Sequence, residues 1–376
     1  MIYLDNAATT FPKPPCVLEE MKKCIKEYCG NPGRSGHFMS IKAAEKIYEC
    51  RETLASFFGS DKPENIVFTL NTTYALNLAI NTLYEPSSHI LISNMEHNSV
   101  LRPIALLEKE GRCSFSTFNV YQSTENTISE LERRKTNNTK MLIMTHASNI
   151  CGKIFPIKEI GAFCKKHDII FIVDAAQSAG IADINIKECH IDALCAPAHK
   201  GLYGPQGLGF VIFGNIMPKR NFIVGGNGIN SLSFETGLDL PESFECGTMP
   251  TPQIAGLNAS VNWIKNIGVD TISKHEIKLA NMLFERLYTI KNSLLYGCNS
   301  LESGIILYKN KKITVDHLST FLNSRNICTR SGFHCSALAH GTLGTGDDGA
   351  LRISFGFFNT KRDVDGVFKA IKECVQ

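Results

Sequence analysis

Lys200 and Asp174 are the two residues of the chain whose surroundings point most directly to a chemical role. Asp174 ends a run of β-branched and aromatic residues, and Lys200 precedes a turn rich in glycine and proline. Such a lysine can form a Schiff base with pyridoxal phosphate (PLP), and a carboxylate at the end of a buried strand can keep the pyridine nitrogen protonated. The pair therefore predicts a PLP enzyme that acts on an amino acid.

Polar residues follow three other predicted strands. Thr72 and Thr73 open a helix, where hydroxyl and backbone N–H groups suit a phosphate, although on their own they favour ordinary helix capping by threonine. His97 could stack on a cofactor ring or be structural, and Asn149 could donate to a phenolic oxygen or a substrate carboxylate. Because open α/β sheets bind ligands at the carboxyl ends of their strands, these residues favour one shared site.

Cys335 lies beside His334 and near Arg330, two side chains that could favour its reactive thiolate form. Glycines on both sides indicate an exposed, mobile loop, at positions 332, 341, 344, 346 and 349. Two interpretations stay open, a catalytic thiol and an ordinary, partly buried cysteine.

Arg352 is a cation within a strand-like pattern, Leu351-Arg352-Ile353-Ser354. A buried guanidinium needs a partner. An amino-acid carboxylate could provide it through a bidentate contact, and so could an Asp or Glu of the chain itself.

The elements that must position these residues alternate between strand and helix. Apolar strand patterns occur near residues 66–68, 90–92, 141–144, 169–173 and 209–213, with helix patterns starting near residues 72, 99 and 156. Two earlier helix patterns stop at Gly30 and Gly59. Continuous apolar strands separated by helices indicate an α/β fold with a mainly parallel sheet covered on both faces.

The pattern changes after about residue 251. Helix patterns over residues 253–266 and 270–291 lead to short strands near 304–307 and 351–354, and Thr360 with Asp363 resembles a capping box. This part of the chain predicts a smaller α+β domain.

Composition excludes several classes of protein. A chain of 376 residues predicts two domains, and a formal charge of +3 without a dense basic run argues against nucleic acid as a partner. No signal peptide and no apolar stretch of membrane-spanning length is visible, so we expect a cytoplasmic protein with no membrane partner. The 14 cysteines include no Cys-x-x-Cys pair, which argues against a zinc site, and we predict no metal.

Taken together, the motifs resemble the class V aminotransferase superfamily, and specifically its cysteine desulfurases and selenocysteine lyases. The resemblance runs nearly end to end. It rests on Tyr3-Leu4-Asp5-Asn6-Ala7-Ala8-Thr9-Thr10, Arg34-Ser35-Gly36-His37, Asn71-Thr72-Thr73, Glu96-His97-Asn98, Ser148-Asn149, Asp174-Ala175-Ala176-Gln177, His199-Lys200, Phe244-Glu245-Cys246-Gly247-Thr248, Gly332-Phe333-His334-Cys335 and Arg352-Ile353-Ser354. The cysteine motif is similar to that of the subgroup with a compact catalytic loop.

The resemblance implies a PLP-dependent transferase fold of fold type I, like that of aspartate aminotransferase. Its large PLP-binding domain would span residues 13–250, and its small domain residues 1–12 and 251–376. It also implies a homodimer, because the family's counterpart of Thr248 reaches the phosphate from the neighbouring subunit.

The same resemblance implies a role for each site residue. Lys200 would be the Schiff-base lysine, Asp174 the partner of the pyridine nitrogen, His97 the residue stacked on the ring and Gln177 the contact of the phenolic oxygen. Thr72, Thr73 and His199 would hold the phosphate. Asn149, Arg330 and Arg352 would bind the substrate, which His37 would border, and Cys335 would accept sulfur.

The implied reaction converts L-cysteine to L-alanine, leaves a persulfide on Cys335 and passes the sulfur to an acceptor protein or thiol. L-selenocysteine is the alternative substrate. The motifs are also compatible with a β-eliminating lyase, racemase or aminotransferase in which Cys335 is incidental, and with a non-enzymatic scaffold. Two positions depart from the family pattern: Pro197 replaces a phosphate-binding Ser or Thr, and Ser243 replaces a common Arg.

Overall fold

The structure is a computed structural model that describes residues 1–33, 35–228, 232–297 and 301–376. Arg34, which belongs to the motif that ends at His37, lies outside these ranges. The helices are α1 (Pro15–Glu27), α2 (Phe38–Phe58), α3 (Thr72–Leu83), α4 (Asn98–Lys109), α5 (Thr124–Arg134), α6 (Ile157–Lys166), α7 (Thr251–Ile267), α8 (Val269–Tyr288), α9 (Val315–Ser324), α10 (Ala337–Leu343) and α11 (Lys361–Val375). The strands are β1 (Ile2–Tyr3), β2 (Ile66–Thr69), β3 (His89–Ser93), β4 (Ser114–Phe118), β5 (Thr139–Thr145), β6 (Ile170–Asp174), β7 (Ala193–Pro197), β8 (Gly209–Phe213), β9 (Ser293–Tyr296), β10 (Ile305–Asn310), β11 (Ile327–Cys328), β12 (Arg330–Gly332) and β13 (Ala350–Ser354).

The largest sheet has seven strands in the order β2-β8-β7-β6-β5-β3-β4. Strands β4, β3, β5, β6 and β7 pair in parallel, whereas β8 pairs antiparallel with both of its neighbours. The sheet is therefore mixed and mainly parallel, as the sequence predicts.

Both faces of this sheet are buried. In β3, Leu91 belongs to one hydrophobic cluster, while Ile90 and Ile92 belong to the cluster on the other face. Successive strand residues point to opposite faces, so a strand that is buried on both must be apolar at every position. This explains the continuous apolar patterns in the sequence.

A second sheet forms the carboxyl-terminal part of the chain. It is antiparallel in the order β12-β13-β10-β9, and a third hydrophobic cluster lies beneath it. Strand β1 pairs with β11, so the amino terminus lies beside the carboxyl-terminal part of the chain. The division at residues 13–250 stays a prediction, and α7 contributes Ile254, Leu257 and Val261 to the first cluster of the large sheet.

Local signals end and begin helices as their chemistry dictates. Gly59, with a φ of 69°, caps α2 in the left-handed conformation that glycine adopts most easily. Thr360 and Asp363 form the predicted capping box. Pro156 is the N-cap of α6 rather than its first residue. Among the described helices, none is long and apolar enough to cross a membrane.

Candidate active site

A cavity of about 300 Å³ opens at the carboxyl ends of the parallel strands. It is lined by eight of the residues expected at the site: Thr72, Thr73, His97, Asn149, Asp174, Gln177, His199 and Lys200. Ser99 and Thr145 also line it and were not predicted. Residues that are up to 128 positions apart thus meet at one place, because their strands end at the same sheet edge (200 − 72 = 128).

One end of the cavity has the donors that an anion needs. It faces the first turn of α3, whose N-cap Asn71 accepts the backbone N–H of Tyr74. Within the described chain, Thr72 Oγ1 and His199 Nδ1 are buried without a hydrogen-bond partner. Unpartnered buried polar atoms are costly, and together with the positive end of the helix they suit a phosphate.

Asp174 lies beneath the cavity, with 2% of its surface exposed. Its Oδ1 accepts the backbone N–H of Ala176 at 2.8 Å. Burial raises the pKa of Asp174, while this N–H group and Lys200 act in the opposite direction. A buried carboxyl of this kind gains by pairing with a protonated ring nitrogen.

Lys200 follows β7 and lines the same cavity. Burial lowers its pKa to about 8, and the positive charges of Arg352 and Arg330 add to this effect, which Asp174 opposes. The amine can therefore lose its proton near neutral pH, which a Schiff-base lysine requires.

His97 is the N-cap of α4 and is neutral. Its Nδ1 accepts the backbone N–H of Ser99 at 3.0 Å and faces Ser99 Oγ at 2.7 Å, so its proton is on Nε2. Burial, with Lys200 nearby, lowers the pKa of His97 to about 4.

Glu96 anchors the strand end beside His97. Its Oε1 accepts the backbone N–H of Thr145 at 2.8 Å, and burial raises its pKa to about 8. Glu96 had no predicted role. Its position three residues after the apolar strand β3 was the available signal.

Cys335 is exposed on the loop between β12 and α10. Arg330 Nη2 lies 3.7 Å from its Sγ, and the backbone N–H of Asn98 donates to the Cys335 carbonyl at 2.8 Å. The sequence predicted that Gly341 belongs to an exposed loop, but Gly341 lies within helix α10.

The expectation that His334 supplies a positive charge to Cys335 is wrong. Its ring is buried, with 3% exposed, and its Nε2 faces the Arg330 carbonyl at 3.1 Å. Burial and the nearby Arg352 lower the pKa of His334 to about 3. Arg330 is therefore the cation beside this thiol.

Asn149 joins the cavity to the cysteine loop. Its Nδ2 donates to the His334 carbonyl at 3.0 Å, and its Oδ1 accepts the Ser336 hydroxyl at 2.9 Å. In this structure the amide thus holds the loop. Gln177 is also engaged, because its Nε2 donates to the Ala7 carbonyl at 3.0 Å.

Arg352 is 1% exposed and already has partners within the chain. Its Nη2 donates to Asp5 at 2.8 Å and its Nη1 to the Asn149 carbonyl at 3.0 Å, while its Nε has no partner among the described residues. The ion pair considered for Arg352 from the sequence is thus present, and one buried donor is left for a ligand. Asp5 had no predicted role. Arg330 forms no ion pair with any described residue.

Cys335, Arg330 and Arg352 do not line the cavity, and two other predicted site residues, His37 and Thr248, lie elsewhere on the chain. His37 is exposed at the N-cap of α2, where its Nδ1 accepts the Ser40 backbone N–H. Thr248 lines a separate cavity of about 210 Å³ together with Leu70 and Tyr74. A single chain does not bring either residue to Lys200.

The family model for class V aminotransferases matches residues 2–367. The chain belongs to this family. Its relatives include probable cysteine desulfurases from Borreliella burgdorferi, 30% identical over 100% of this chain and 92% of that protein, and from Methanothermobacter thermautotrophicus, 30% identical over 99% and 94%.

Solved structures give the same result for this class V aminotransferase. The apo structure of a cysteine desulfurase from Thermococcus onnurineus has a TM-score of 0.92 at 31% identity, covering 100% of this chain and 94% of that one. A cysteine desulfurase from Escherichia coli shares the fold, with a TM-score of 0.89 at 24% identity over 99% and 94%. The predicted family and fold class are confirmed, and the individual residue roles stay predictions.

Proposed function

We propose that this chain is a PLP-dependent cysteine desulfurase that converts L-cysteine to L-alanine and transfers the sulfur to Cys335. The observation that carries the proposal is the link between the two halves of the site. The loop with the exposed thiol is hydrogen-bonded to Asn149, and Asn149 lines the cavity that contains Lys200 and Asp174. The names of the relatives support the same activity.

The residues present suit PLP. Thr72 and His199 would hold the phosphate with their unpartnered atoms, Asp174 would pair with the ring nitrogen, and Lys200 would hold the aldehyde carbon. When bound, PLP supplies an electron sink that stabilises negative charge at the α-carbon of an amino acid.

We expect Gly209→Ala to weaken PLP binding by at least about tenfold, or about 1.4 kcal/mol. A Cβ at this position would lie 2.5 Å from the Asn71 carbonyl carbon and 2.9 Å from the Thr72 nitrogen, so it would displace the first turn of α3. Titration of cofactor-free protein with PLP measures the change. Gly214→Ala is the matched control, because its Cβ would clash with the Ile191 carbonyl at 2.4 Å, beyond the other end of β8. Equal loss of affinity in both variants would contradict the prediction.

Lys200 is the residue best placed to move a proton. A neutral amine at its Nζ can accept the proton of the substrate α-carbon. The unpartnered Nε of Arg352 can donate to the substrate carboxylate. His97, being neutral, adds no positive charge to the cavity.

The rate at which the cofactor-free protein binds PLP should rise with pH, reach half of its maximum at about pH 8 and level off at higher pH. The pKa of Lys200 is lowered from 10.5 to about 8, so the neutral amine that reacts with an aldehyde is already half-populated there. Stopped-flow absorbance between pH 6 and pH 10.5 measures this rate. A rate that keeps rising to pH 10.5 would show that the pKa is not lowered.

Cys335 completes the reaction. Its thiolate attacks the substrate sulfur, a sulfur–sulfur bond forms, and the substrate carbon–sulfur bond breaks. The bonding electrons stay on the substrate β-carbon, which takes a proton to become the methyl group of alanine. The exposed persulfide can then pass its outer sulfur to an acceptor thiol or protein. The cytoplasm stays the predicted location.

The test is a product assay combined with peptide mass. The PLP-loaded protein is incubated with L-cysteine, and we expect alanine as the product and one added sulfur atom on the Cys335 peptide. Pyruvate and ammonia without added sulfur would identify a β-eliminating lyase. An oxo acid that retains the sulfur of cysteine would identify an aminotransferase. Either result overturns the proposal.

We include a homodimer in the proposal. Leu70, Tyr74 and Ile223 are about half exposed and surround Thr248 in its cavity, an apolar surface that a second copy of the chain would cover. This arrangement allows Thr248 to serve the partner's site. A monomer in sedimentation experiments on the PLP-loaded protein would contradict it.

A further inference from the structure

A chain of hydrogen bonds between buried side chains extends from the cysteine loop through His340 of α10 to Thr345. His334 Nε2 lies 3.1 Å from the Arg330 carbonyl, and His334 Nδ1 lies 3.1 Å from His340 Nε2. His340 Nδ1 in turn lies 2.8 Å from Thr345 Oγ1. All three side chains are at most 3% exposed, and the two imidazole planes lie within 14° of each other with ring centroids 5.3 Å apart.

The chemistry of the ends fixes the direction of each bond. A carbonyl only accepts, so His334 Nε2 donates to Arg330. In a neutral imidazole, His334 Nδ1 must then accept from His340 Nε2. His340 Nδ1 must therefore accept from the Thr345 hydroxyl, so the last donor of the chain lies ten residues after Cys335 (345 − 335 = 10).

Both imidazoles are neutral in this environment. Burial and the nearby Arg352 lower the pKa of His334, and burial lowers the pKa of His340. A charged His334 would donate from Nδ1 to His340 and so reverse the two bonds beyond it, and the surrounding cations oppose that charge. The hydrogen-bonded side chains of His334, His340 and Thr345 thus act as an uncharged support for the loop and not as an acid or base.

The loop that it supports has an unfavourable backbone conformation. His334 and Cys335 have φ values of 51° and 57°, in the left-handed region that side chains with a Cβ rarely adopt. Such conformations persist only where the surroundings enforce them. The enforcing contacts are the bonds of Asn98 and Asn149 to the loop and the clamped ring of His334.

We propose that His340 and Thr345 are positioning residues for Cys335, which they hold at the mouth of the cavity by fixing the ring of His334. Neither residue touches the PLP cavity. The inference rests on the proposed role of Cys335 as the sulfur acceptor.

Thr345→Val and Thr345→Ser form the matched pair that tests it. Valine has nearly the shape of threonine but cannot donate, whereas serine keeps the hydroxyl. The PLP-loaded proteins are mixed with saturating L-cysteine, quenched with iodoacetamide, and the persulfide on the Cys335 peptide is measured over time. Hydrogen exchange of the peptide covering residues 330–345 is measured alongside.

We expect Thr345→Val to slow persulfide formation about tenfold, equivalent to about 1.4 kcal/mol, and to speed exchange in the loop. The KM for cysteine should change less than twofold, because the PLP cavity is intact. Thr345→Ser should match the wild type. Wild-type persulfide formation and loop exchange in Thr345→Val would overturn the inference, and so would equal losses in both variants.

His340 provides a second pair, since His340→Gln keeps an N–H for His334 and His340→Leu does not. We expect glutamine to retain more of the persulfide rate than leucine. The reverse order counts against the inference.

If the wild type forms no persulfide at all, the proposed function fails and the inference is judged separately. The rate of Cys335 alkylation and the loop exchange then decide it. A change in Thr345→Val alone supports the positioning role, and no change in either variant overturns it.

Discussion

Lys200→Ala should abolish turnover and remove the visible absorption that PLP shows when it is bound as an imine. General-base catalysis alone contributes about 10²–10⁴-fold, and Lys200 would also hold the cofactor, so the loss should be at least about 10⁴-fold. Among the described residues that line the cavity, no other has a side-chain amine that could form the imine in place of Lys200. Alanine production from L-cysteine and the absorption spectrum measure the two effects.

Lys13 gives this experiment an internal comparison. Burial lowers its pKa to about 7, so it is also reactive, but its Nζ donates to Thr10 Oγ1 and the His199 carbonyl, each at 2.7 Å, and it does not line the cavity. Borohydride reduction of the PLP-loaded protein followed by peptide mapping should place the label on Lys200. A label on Lys13, or normal turnover by Lys200→Ala, would remove the basis of the proposed function.

The sequence predicted the large sheet well because its strands are buried on both faces. Continuous apolar runs such as residues 209–213 identify a strand by their composition, and β8 has those bounds. Strand β4 and helix α5 had no such signal, and strand β7 was not predicted although all five of its residues are buried. Ser114 and Thr117 interrupt the apolar pattern of β4, which is the edge strand of the sheet.

The cavity was also predictable, since one rule about strand ends is enough to gather Thr72, His97, Asn149 and Asp174. What the rule could not supply is the direction in which each side chain points. His334 is next to Cys335 in sequence, yet its ring turns toward His340. Adjacent residues in left-handed conformations do not follow the alternation of a strand, so no sequence periodicity gives their orientation.

The sequence also could not predict which residues far apart in the chain contact each other. Arg352 was expected to bind either a ligand or an acid, and the choice of Asp5 depends on the bridge between Asp5 and Ser354, which brings the amino terminus beside β13. His37 and Thr248 do not line the cavity of their own chain, and the proposed homodimer would bring Thr248 to the partner's site.

Pro197 shows how the structure changes the meaning of a substitution. It is the buried last residue of β7, paired with Gly209 of β8, and it does not line the cavity. The hydroxyl that the family pattern implies there is absent, but Thr72 Oγ1 and His199 Nδ1 still lack partners among the described residues. The phosphate end therefore keeps two buried polar groups available, and the departure does not remove the proposed phosphate site.

Cys335→Ala should separate two substrates that the rest of the site treats alike. With L-cysteine, the thiolate must attack the substrate sulfur, so we expect turnover to fall by at least about 100-fold, the scale of losing a well-placed nucleophile. With L-selenocysteine, the weaker carbon–selenium bond breaks with less help, so the loss should be under about tenfold, or about 1.4 kcal/mol. Alanine formation from both substrates measures the ratio.

Cys29→Ala is the control for this variant, because Cys29 is the other cysteine that is exposed in the described chain and it does not line the cavity. It should leave both activities and the Cys335 persulfide unchanged. Equal losses on the two substrates in Cys335→Ala would contradict the role of Cys335 as the attacking sulfur. Its backbone carbonyl is bonded to Asn98, and alanine keeps that bond, so a purely structural role predicts little loss on either substrate. Only an attacking sulfur at position 335 predicts a large loss that depends on which chalcogen the substrate carries.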